Sequence, residues 1–133
     1  MSFDFPPSHF GDSMMPSAEY LADALLGASN YVRYVAIYRD GNLLLRERSG
    51  LANTSSASDK YEELIVNPTV LKLVAQRGEI DCGGVSFVLI RYGNFYQCVI
   101  PERGGHFSIS MEPNGDPLAV LETIRAVIRG QTL

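Results

Sequence analysis

The chain has 133 residues and a mass of 14.6 kDa, the size of one ordinary domain. Hydrophobic residues make up 46% of it and charged residues 20%, which favours a folded core over disorder. The net charge of −4 lacks the basic excess of a nucleic-acid binder, and no apolar run approaches the roughly 18 residues of a membrane span. The first residues show no secretory signal, and two cysteines make neither a disulfide framework nor a metal cluster. We therefore expect a cytoplasmic protein with free thiols that binds neither nucleic acid nor a membrane.

The first elements along the chain are a tail and a short helix. Residues 1–16 contain three prolines and no periodic pattern, and they predict an extended N-terminal tail before a domain over residues 17–133. A docking peptide for a partner is the alternative for this tail. Ser17 then has the position of an N-cap for a helix over residues 18–27, where apolar residues recur at spacings of three and four.

A β-hairpin follows this helix. Residues 31–39 are rich in aromatic and β-branched residues and predict a strand. The pair Asp40-Gly41 comes next and is typical of a type I′ turn, in which both central residues need positive φ. A turn at this pair sets a register in which Tyr38 faces Leu43 across the hairpin.

The same register predicts that three arginines share one face of the hairpin: Arg33, Arg46 and Arg48. Arg33 would lie opposite Arg48, an unfavourable pair unless an anion or an acidic side chain sits between them. Local positive charge on an acidic chain indicates contact with an acidic surface of a partner protein. The alternative is that these arginines extend into water at the strand ends.

Residues 59–77 predict a second helix, in which Asp59 and Glu62 have the spacing of a capping box. Its apolar stripe consists of Leu64, Ile65, Leu71, Val74 and Ala75. Asn67-Pro68 interrupts this stripe, because proline disfavours helix at the preceding residue and is tolerated at a first helical position. We expect a kink or two short helices at this point, with Asn67 as the cap of the second helix.

The remainder predicts three strands and a closing helix. Residues 85–92 are apolar at most positions, which indicates a strand covered on both faces. A Gly-Asn turn leads to a strand over residues 95–100, and residues 106–111 alternate as another. Asp116 and Pro117 then have the positions of an N-cap and a first helical residue. The order α-β-β-α-β-β-β-α predicts an α+β fold, a five-stranded antiparallel sheet flanked by three helices.

Motifs that carry chemistry are scarce. The chain lacks the glycine motifs that bind phosphates or dinucleotides, and its two histidines have no metal-ligand spacing. We therefore expect no enzyme activity, no cofactor and no metal. Cys98 and His106 fall on neighbouring predicted strands, an arrangement in which an imidazole can activate a thiol. The apolar alternation around Cys98 favours a buried, inert thiol, and catalysis by this pair remains an alternative.

The order of these elements resembles that of the roadblock/dynein-light-chain family over residues 17–130. The similar segments are Arg39-Asp40-Gly41 for the first turn, residues 59–77 for the second helix, 85–111 for a three-stranded meander and 116–130 for the closing helix. Two features depart from the family pattern, namely the interruption at Asn67-Pro68 and the extra residues 1–16. The interruption falls in the helix through which family members pair.

The resemblance implies a non-enzymatic module that forms homodimers through the second helix and the third strand. It also implies a role as an adaptor or regulator of small Ras-like GTPases or of motor complexes. An apolar edge strand invites aggregation unless it is paired, and pairing with its own copy would remove that risk. The residues assigned to the dimer interface are Val70, Val74, Val85, Phe87, Leu89 and Arg91. A small-molecule sensor of the PAS or GAF kind is the alternative, and it requires an apolar cavity with convergent polar groups.

Overall fold

The computed structural model describes residues 17–51 and 55–131; the predicted tail over residues 1–16 lies outside these ranges. Helix α1 (Ala18–Leu26) is followed by strands β1 (Val32–Arg39) and β2 (Asn42–Glu47). The long helix is made of α2 (Ser56–Tyr61), a π-helical stretch (Glu62–Val66) and α3 (Asn67–Asp81). Strands β3 (Val88–Arg91), β4 (Tyr96–Glu102) and β5 (Gly105–Met111) precede the closing helix α4 (Pro117–Gln131). The predicted element order is confirmed.

The five strands form one antiparallel sheet in the order β2-β1-β5-β4-β3, so that β2 and β3 are its edges. The predicted hairpin turn is confirmed, because Asp40 and Gly41 both have positive φ, at 53° and 85°. Tyr38 pairs with Leu43 as that turn requires. The α+β fold with a five-stranded antiparallel sheet is therefore confirmed.

Helices α1 and α4 cover one side of the sheet, which we call the apolar face. Its core includes Val35, Ile37, Cys98, Phe107 and Ile109 from the strands and Leu21, Leu25, Leu121 and Ile124 from the helices. Each of these side chains is nearly or completely buried, and full burial of one such aliphatic group contributes roughly 1.5–3 kcal/mol. This face supplies the main hydrophobic core of the domain.

The N-terminal ends of the two covering helices are capped as their sequences predict. The Ser17 hydroxyl oxygen accepts a hydrogen bond from the backbone N–H of Tyr20 at 3.1 Å, just before α1. Asp116 Oδ1 accepts from the backbone N–H groups of Leu118 and Ala119 at 3.1 and 3.4 Å, just before α4.

Within the described ranges, no helix is long and apolar enough to cross a membrane.

The long helix covers the opposite side of the sheet, and its start and middle differ from the prediction. Ser55, not Asp59, is the N-cap, and its hydroxyl oxygen accepts from the backbone N–H of Ser58 at 3.3 Å. Asn67 caps no second helix, since its φ of −64° and ψ of −45° are helical. The wider π-helical turn just before Pro68 lets the chain accept a residue that lacks an N–H and crowds the preceding turn.

The buried stripe of this helix also differs from the predicted one. Leu64 and Ile65 are 46% and 51% exposed, whereas the side chains of Glu63 and Asn67 are fully buried. The physical reason is the surface of the sheet on which this helix packs. We call this surface the polar face, and its side chains are those of Tyr34, Gln97, His106, Ser108 and Ser110. Polar helix residues find hydrogen-bond partners on such a surface, and leucine or isoleucine would leave those partners unsatisfied.

Strand β3 is shorter than predicted. Residues 85–87 precede the hydrogen-bonded ladder, which begins at Val88 opposite Val99. Gly83 and Gly84 have φ angles of 79° and 89°, a conformation that breaks the regular chain path before the strand. The edge strand therefore has only four residues.

Candidate functional site

A buried polar network joins the long helix to the polar face of the sheet, with Glu63 at its centre. The Glu63 carboxylate accepts hydrogen bonds from the Tyr34 hydroxyl and, at 2.9 Å, from Asn67 Nδ2. Its Oε1 also lies 2.8 Å from Nε2 of His106, which is 1% exposed. An ionised Glu63 only accepts hydrogen bonds, so this contact with a carboxylate requires a proton on Nε2 of His106. These donors compensate for the desolvation of a buried carboxylate.

The network extends along the sheet through Ser108. The Ser108 hydroxyl oxygen accepts from Asn67 Nδ2 at 3.3 Å and from Gln97 Nε2. Asn67 Oδ1 is buried and has no hydrogen-bond partner among the described residues. Burial, followed by the negative charge of Glu63, raises the pKa of Tyr34 above its ordinary value and keeps the hydroxyl a donor. The network therefore ties the π-helical stretch to β1, β4 and β5.

A cavity of about 670 Å³ lies beside this network, between the start of the long helix, the turn from β3 to β4, and the sheet. Its apolar and aromatic lining residues are Tyr34, Leu51, Ala57, Tyr61, Val66, Tyr92 and Phe95. Its charged lining residues are Arg33, Asp59 and Glu62. The uncharged polar lining residues are Ser55, Ser58, Asn94, Gln97 and Ser110. A volume of this size, in which polar groups converge beside apolar and aromatic ones, is typical of small-molecule sites.

The acidic wall of the cavity is partly desolvated. Burial is the main cause that raises the pKa of Asp59, and the negative charges of Glu47 and Glu63 raise it further. Burial also raises the pKa of Glu62, although the Tyr92 hydroxyl donates to its two carboxylate oxygens at 3.0 and 3.2 Å. The same neighbourhood, again mainly through burial, raises the pKa of Tyr92 to about 12. The carboxylates therefore lie where their ionised forms are poorly compensated.

Arg33 reaches this cavity because of a β-bulge. The pairing of β1 with β5 shifts between Val32 and Tyr34, which turns Arg33 toward the polar face. Its Nη1 lies 3.2 Å from Oε1 of Glu112, and its guanidinium carbon lies 5.2 Å from the ring centroid of Phe95. The predicted common face for Arg33, Arg46 and Arg48 is therefore wrong, since the bulge depends on β5 and is invisible in the hairpin sequence.

The other two predicted partner-binding arginines lie on the α1 side of the sheet. Arg48 donates to the backbone carbonyls of Val32, Leu26 and Ser29 at 2.9, 2.8 and 3.1 Å, so that it caps the end of α1. Arg46 is half-buried, its Nε lies 3.3 Å from Asp23 Oδ1, and its Nη1 donates to the Leu45 carbonyl at 3.2 Å. Partner binding by all three arginines stays a prediction.

The predicted dimer residues occupy several different environments. Val70 and Val74 are half-buried on α3, and Val85 lies beside Gly78 at the end of that helix. Phe87 and Leu89 pack against the core of the apolar face, whereas Arg91 is exposed with its guanidinium 5.0 Å from the Tyr96 ring centroid. Their role in a dimer interface stays a prediction.

Four large aliphatic side chains of the long helix are exposed. We call these residues the helix ridge: Leu64, Ile65, Leu73 and Ile80. Leu73 and Ile80 are 63% and 74% exposed, and their spacing of seven residues places them on one side of α3. The sequence pattern does not reveal this ridge, because it assigns Leu64 and Ile65 to the buried stripe.

The alternative of a Cys98/His106 catalytic pair is wrong. Residues 98 and 109 pair across β4 and β5 on the apolar face, while His106 belongs to the polar face. Burial raises the pKa of the Cys98 thiol to about 12. No group of three or more potential metal ligands occurs in the described part of the chain.

Sequence reasoning missed the buried network as well as the cavity. The available signal was the polar alternation of His106, Ser108 and Ser110 in a strand whose other positions are apolar. Glu63 and Asn67, four residues apart, supply the matching helix positions. A polar strand face opposite polar helix positions indicates a buried hydrogen-bonded layer.

Among the comparisons with known proteins, the one with solved structures supports the fold. No protein-family model and no curated protein matches the sequence. A roadblock/LC7 domain from Streptomyces avermitilis is 12% identical, with a TM-score of 0.66 over 86% of this chain and 94% of that chain. The gliding protein MglB from Thermus thermophilus is 13% identical, with a TM-score of 0.61 over 86% and 85%. MglB in a tetrameric arrangement is 12% identical, with a TM-score of 0.60 over 98% and 90%.

Proposed function

The chain has a roadblock-family fold, and from that premise we propose that it is a non-enzymatic homodimeric interaction module that regulates a small Ras-like GTPase or serves as its adaptor. The observation that carries the proposal is the helix ridge. Its leucines and isoleucines are exposed on a helix whose other side is packed against the sheet. Large apolar side chains that share an exposed side of a helix, as Leu73 and Ile80 do on α3, suit a protein contact.

The edge strand β3 supports self-association. It has no neighbour on its outer side within the described sheet, so its outward backbone N–H and C=O groups are available for pairing. Addition of a strand from a second copy would satisfy these groups and continue the sheet. The helix ridge of each copy would then supply the apolar contact that four-residue strands cannot.

The GTPase partner follows from the family resemblance, and Arg46 is the residue we assign to the contact. Of the three predicted arginines, it is the one that neither caps a helix nor lines the cavity. Partly exposed charges of this kind act mainly by steering association. The face bearing Arg46 thus suits an acidic surface on the partner.

A binding experiment tests this partner assignment. Small Ras-like GTPases, each loaded with GDP or with a GTP analogue, are titrated with the chain, and association rates are measured at low salt. We expect one nucleotide state to bind, with slower association for Arg46→Glu and unchanged association for Arg103→Glu on the exposed β4–β5 turn. Absence of binding to every GTPase at tens of micromolar would contradict the assignment.

The cavity favours a second function of a different class, a small-molecule sensor. Such a function requires polar groups that converge in a largely apolar space, and the cavity beside Tyr92 and Glu62 has that arrangement. A chain that binds both a ligand and a partner would connect the two through the long helix, which contributes to the cavity and carries the ridge.

A further inference from the structure

The charges around the cavity leave two acidic groups without a direct cationic partner. Arg33 is the basic residue of the described lining, and Glu112 already pairs with it at 3.2 Å. Asp59 makes no side-chain hydrogen bond or ion pair within residues 17–51 and 55–131, and Glu62 receives only the neutral Tyr92 hydroxyl. Burial raises the pKa of both carboxyls, and the more distant charge of Arg33 offsets this effect at Asp59 only in part. The described lining, with one basic and two acidic residues, therefore has excess negative charge.

Asp59 and Glu62 are close enough for their carboxylates to contact the same cationic group. Asp59 and Glu62 are three residues apart on the long helix and both line the cavity. Side chains at this spacing have Cβ atoms about 5–6 Å apart. One ammonium or guanidinium group can therefore contact both carboxylates.

Aromatic rings form another part of the lining. Tyr92 and Phe95 pack edge to face with ring centroids 5.5 Å apart, and Tyr61 also lines the cavity. Aromatic faces attract cations, and the guanidinium of Arg33 already lies against the Phe95 ring. Neutral apolar ligands would use these rings but would leave the two carboxylates uncompensated.

We propose that this cavity binds a small organic cation, an ammonium or guanidinium group on an apolar body, with its charge at Asp59 and Glu62 and its body against the aromatic rings. The volume of about 670 Å³ suits a whole small molecule better than one side chain of a partner protein. This inference deepens the second function proposed above and does not depend on the GTPase or on dimerisation.

A pair of probes of matched shape tests the proposal. The full chain is titrated with 2-phenylethylamine, which is cationic at pH 7, and with the neutral 2-phenylethanol, and binding is followed by NMR shifts of the lining residues. We expect the amine to bind about tenfold more tightly than the alcohol, a difference of about 1.4 kcal/mol. Asp59→Asn with Glu62→Gln should abolish this preference, whereas Glu79→Gln, exposed on α3, should preserve it.

Other outcomes separate the possible sources of the cation. Tighter binding of Nα-acetyl-lysine amide than of 2-phenylethylamine would overturn the free-amine assignment in favour of a partner's side chain. Equal binding of the amine and the alcohol, or an unchanged preference in the double variant, would overturn the cation site itself. If the double variant does not fold, the wild-type protein gives the answer, because amine affinity alone should fall as acid protonates Asp59 and Glu62. A negative result in these titrations would leave the predictions on self-association and GTPase binding unaffected.

Discussion

His106 Nε2 lies 2.8 Å from Glu63 Oε1, and neither side chain has more than 2% of its surface exposed. The contact joins β5 to the π-helical stretch at the point where the long helix crosses the sheet. A buried polar pair adds little stability compared with a well-packed apolar pair. Removal of one partner, however, leaves the other buried without a hydrogen-bond partner. The pair therefore matters chiefly for which side of the helix faces the sheet.

Replacement of Glu63 by alanine should strongly destabilise the protein. The change would leave the buried donors of Tyr34, Asn67 and His106 without their acceptor. Each unsatisfied buried group costs about 1–3 kcal/mol, and we expect a total loss of about 3 kcal/mol or more. Urea unfolding measures this loss. The matched control is Glu79→Ala on the same helix, which should change the free energy of unfolding by less than about 0.5 kcal/mol. Equal losses for the two variants would contradict the network.

Arg48 should contribute more to stability than Arg46. Arg48 donates to three backbone carbonyls at and after the end of α1, whereas Arg46 makes one partly exposed ion pair with Asp23. We expect Arg48→Ala to lower the free energy of unfolding by about 1–3 kcal/mol and Arg46→Ala by less than about 1 kcal/mol. Thermal unfolding of both variants under one condition checks the order, and the reverse order would contradict the capping role.

Neutralisation of Glu62 should stabilise the protein in a pH-dependent way. Burial chiefly raises the pKa of Glu62 in the folded state above its ordinary value of 4.5. The folded protein binds this proton more tightly than the unfolded chain, so the contribution of Glu62 to stability falls as pH rises through that range. Glu62→Gln, which keeps an acceptor for Tyr92, should therefore raise the free energy of unfolding at pH 7 by about 1 kcal/mol or less, given its partial exposure. Melting at pH 7 and in acid measures this gain, which should vanish below the ordinary pKa. A loss at pH 7 would contradict the raised pKa.

The two thiols should react at very different rates. Cys82 is exposed, while Cys98 is fully buried and burial raises the pKa of its thiol to about 12. Because the thiolate is the reactive form, a thiol reagent at neutral pH should modify one cysteine per native chain and the second only in denaturant. Mass spectrometry of the modified peptides identifies the site. Fast modification of Cys98 in the native protein would contradict its place in the core.

Local sequence signals predicted the elements of the fold well. Caps at Ser17 and Asp116 and the turn at Asp40-Gly41 act through neighbouring backbone groups, and each signal lies within a few residues of its effect. Alternation over residues 106–111 likewise predicted a strand, and its apolar positions Phe107, Ile109 and Met111 lie in the core.

The candidate site was harder to predict from the sequence because the residues that form it are far apart in the chain. The bulge at Arg33 arises from pairing with β5, which comes much later in the chain. The burial of Glu63 depends on His106, and that of Asn67 on Ser108, both on β5. The sequence of a helix taken alone predicts that its leucine and isoleucine residues are buried. The polar face of the sheet explains why polar residues of the helix are buried instead. The cavity forms where these distant segments meet.

Sedimentation equilibrium at tens of micromolar tests the central claim most directly, because a self-associating module must give a mass near twice 14.6 kDa. Leu73→Glu should reduce that mass to the monomer, since an interface would have to bury an unpaired charge on the helix ridge. Leu118→Glu, at a leucine that is 55% exposed on α4, should leave the dimer intact. A monomeric wild-type chain, or a Leu73→Glu variant that dimerises as well as the wild type, would contradict the account.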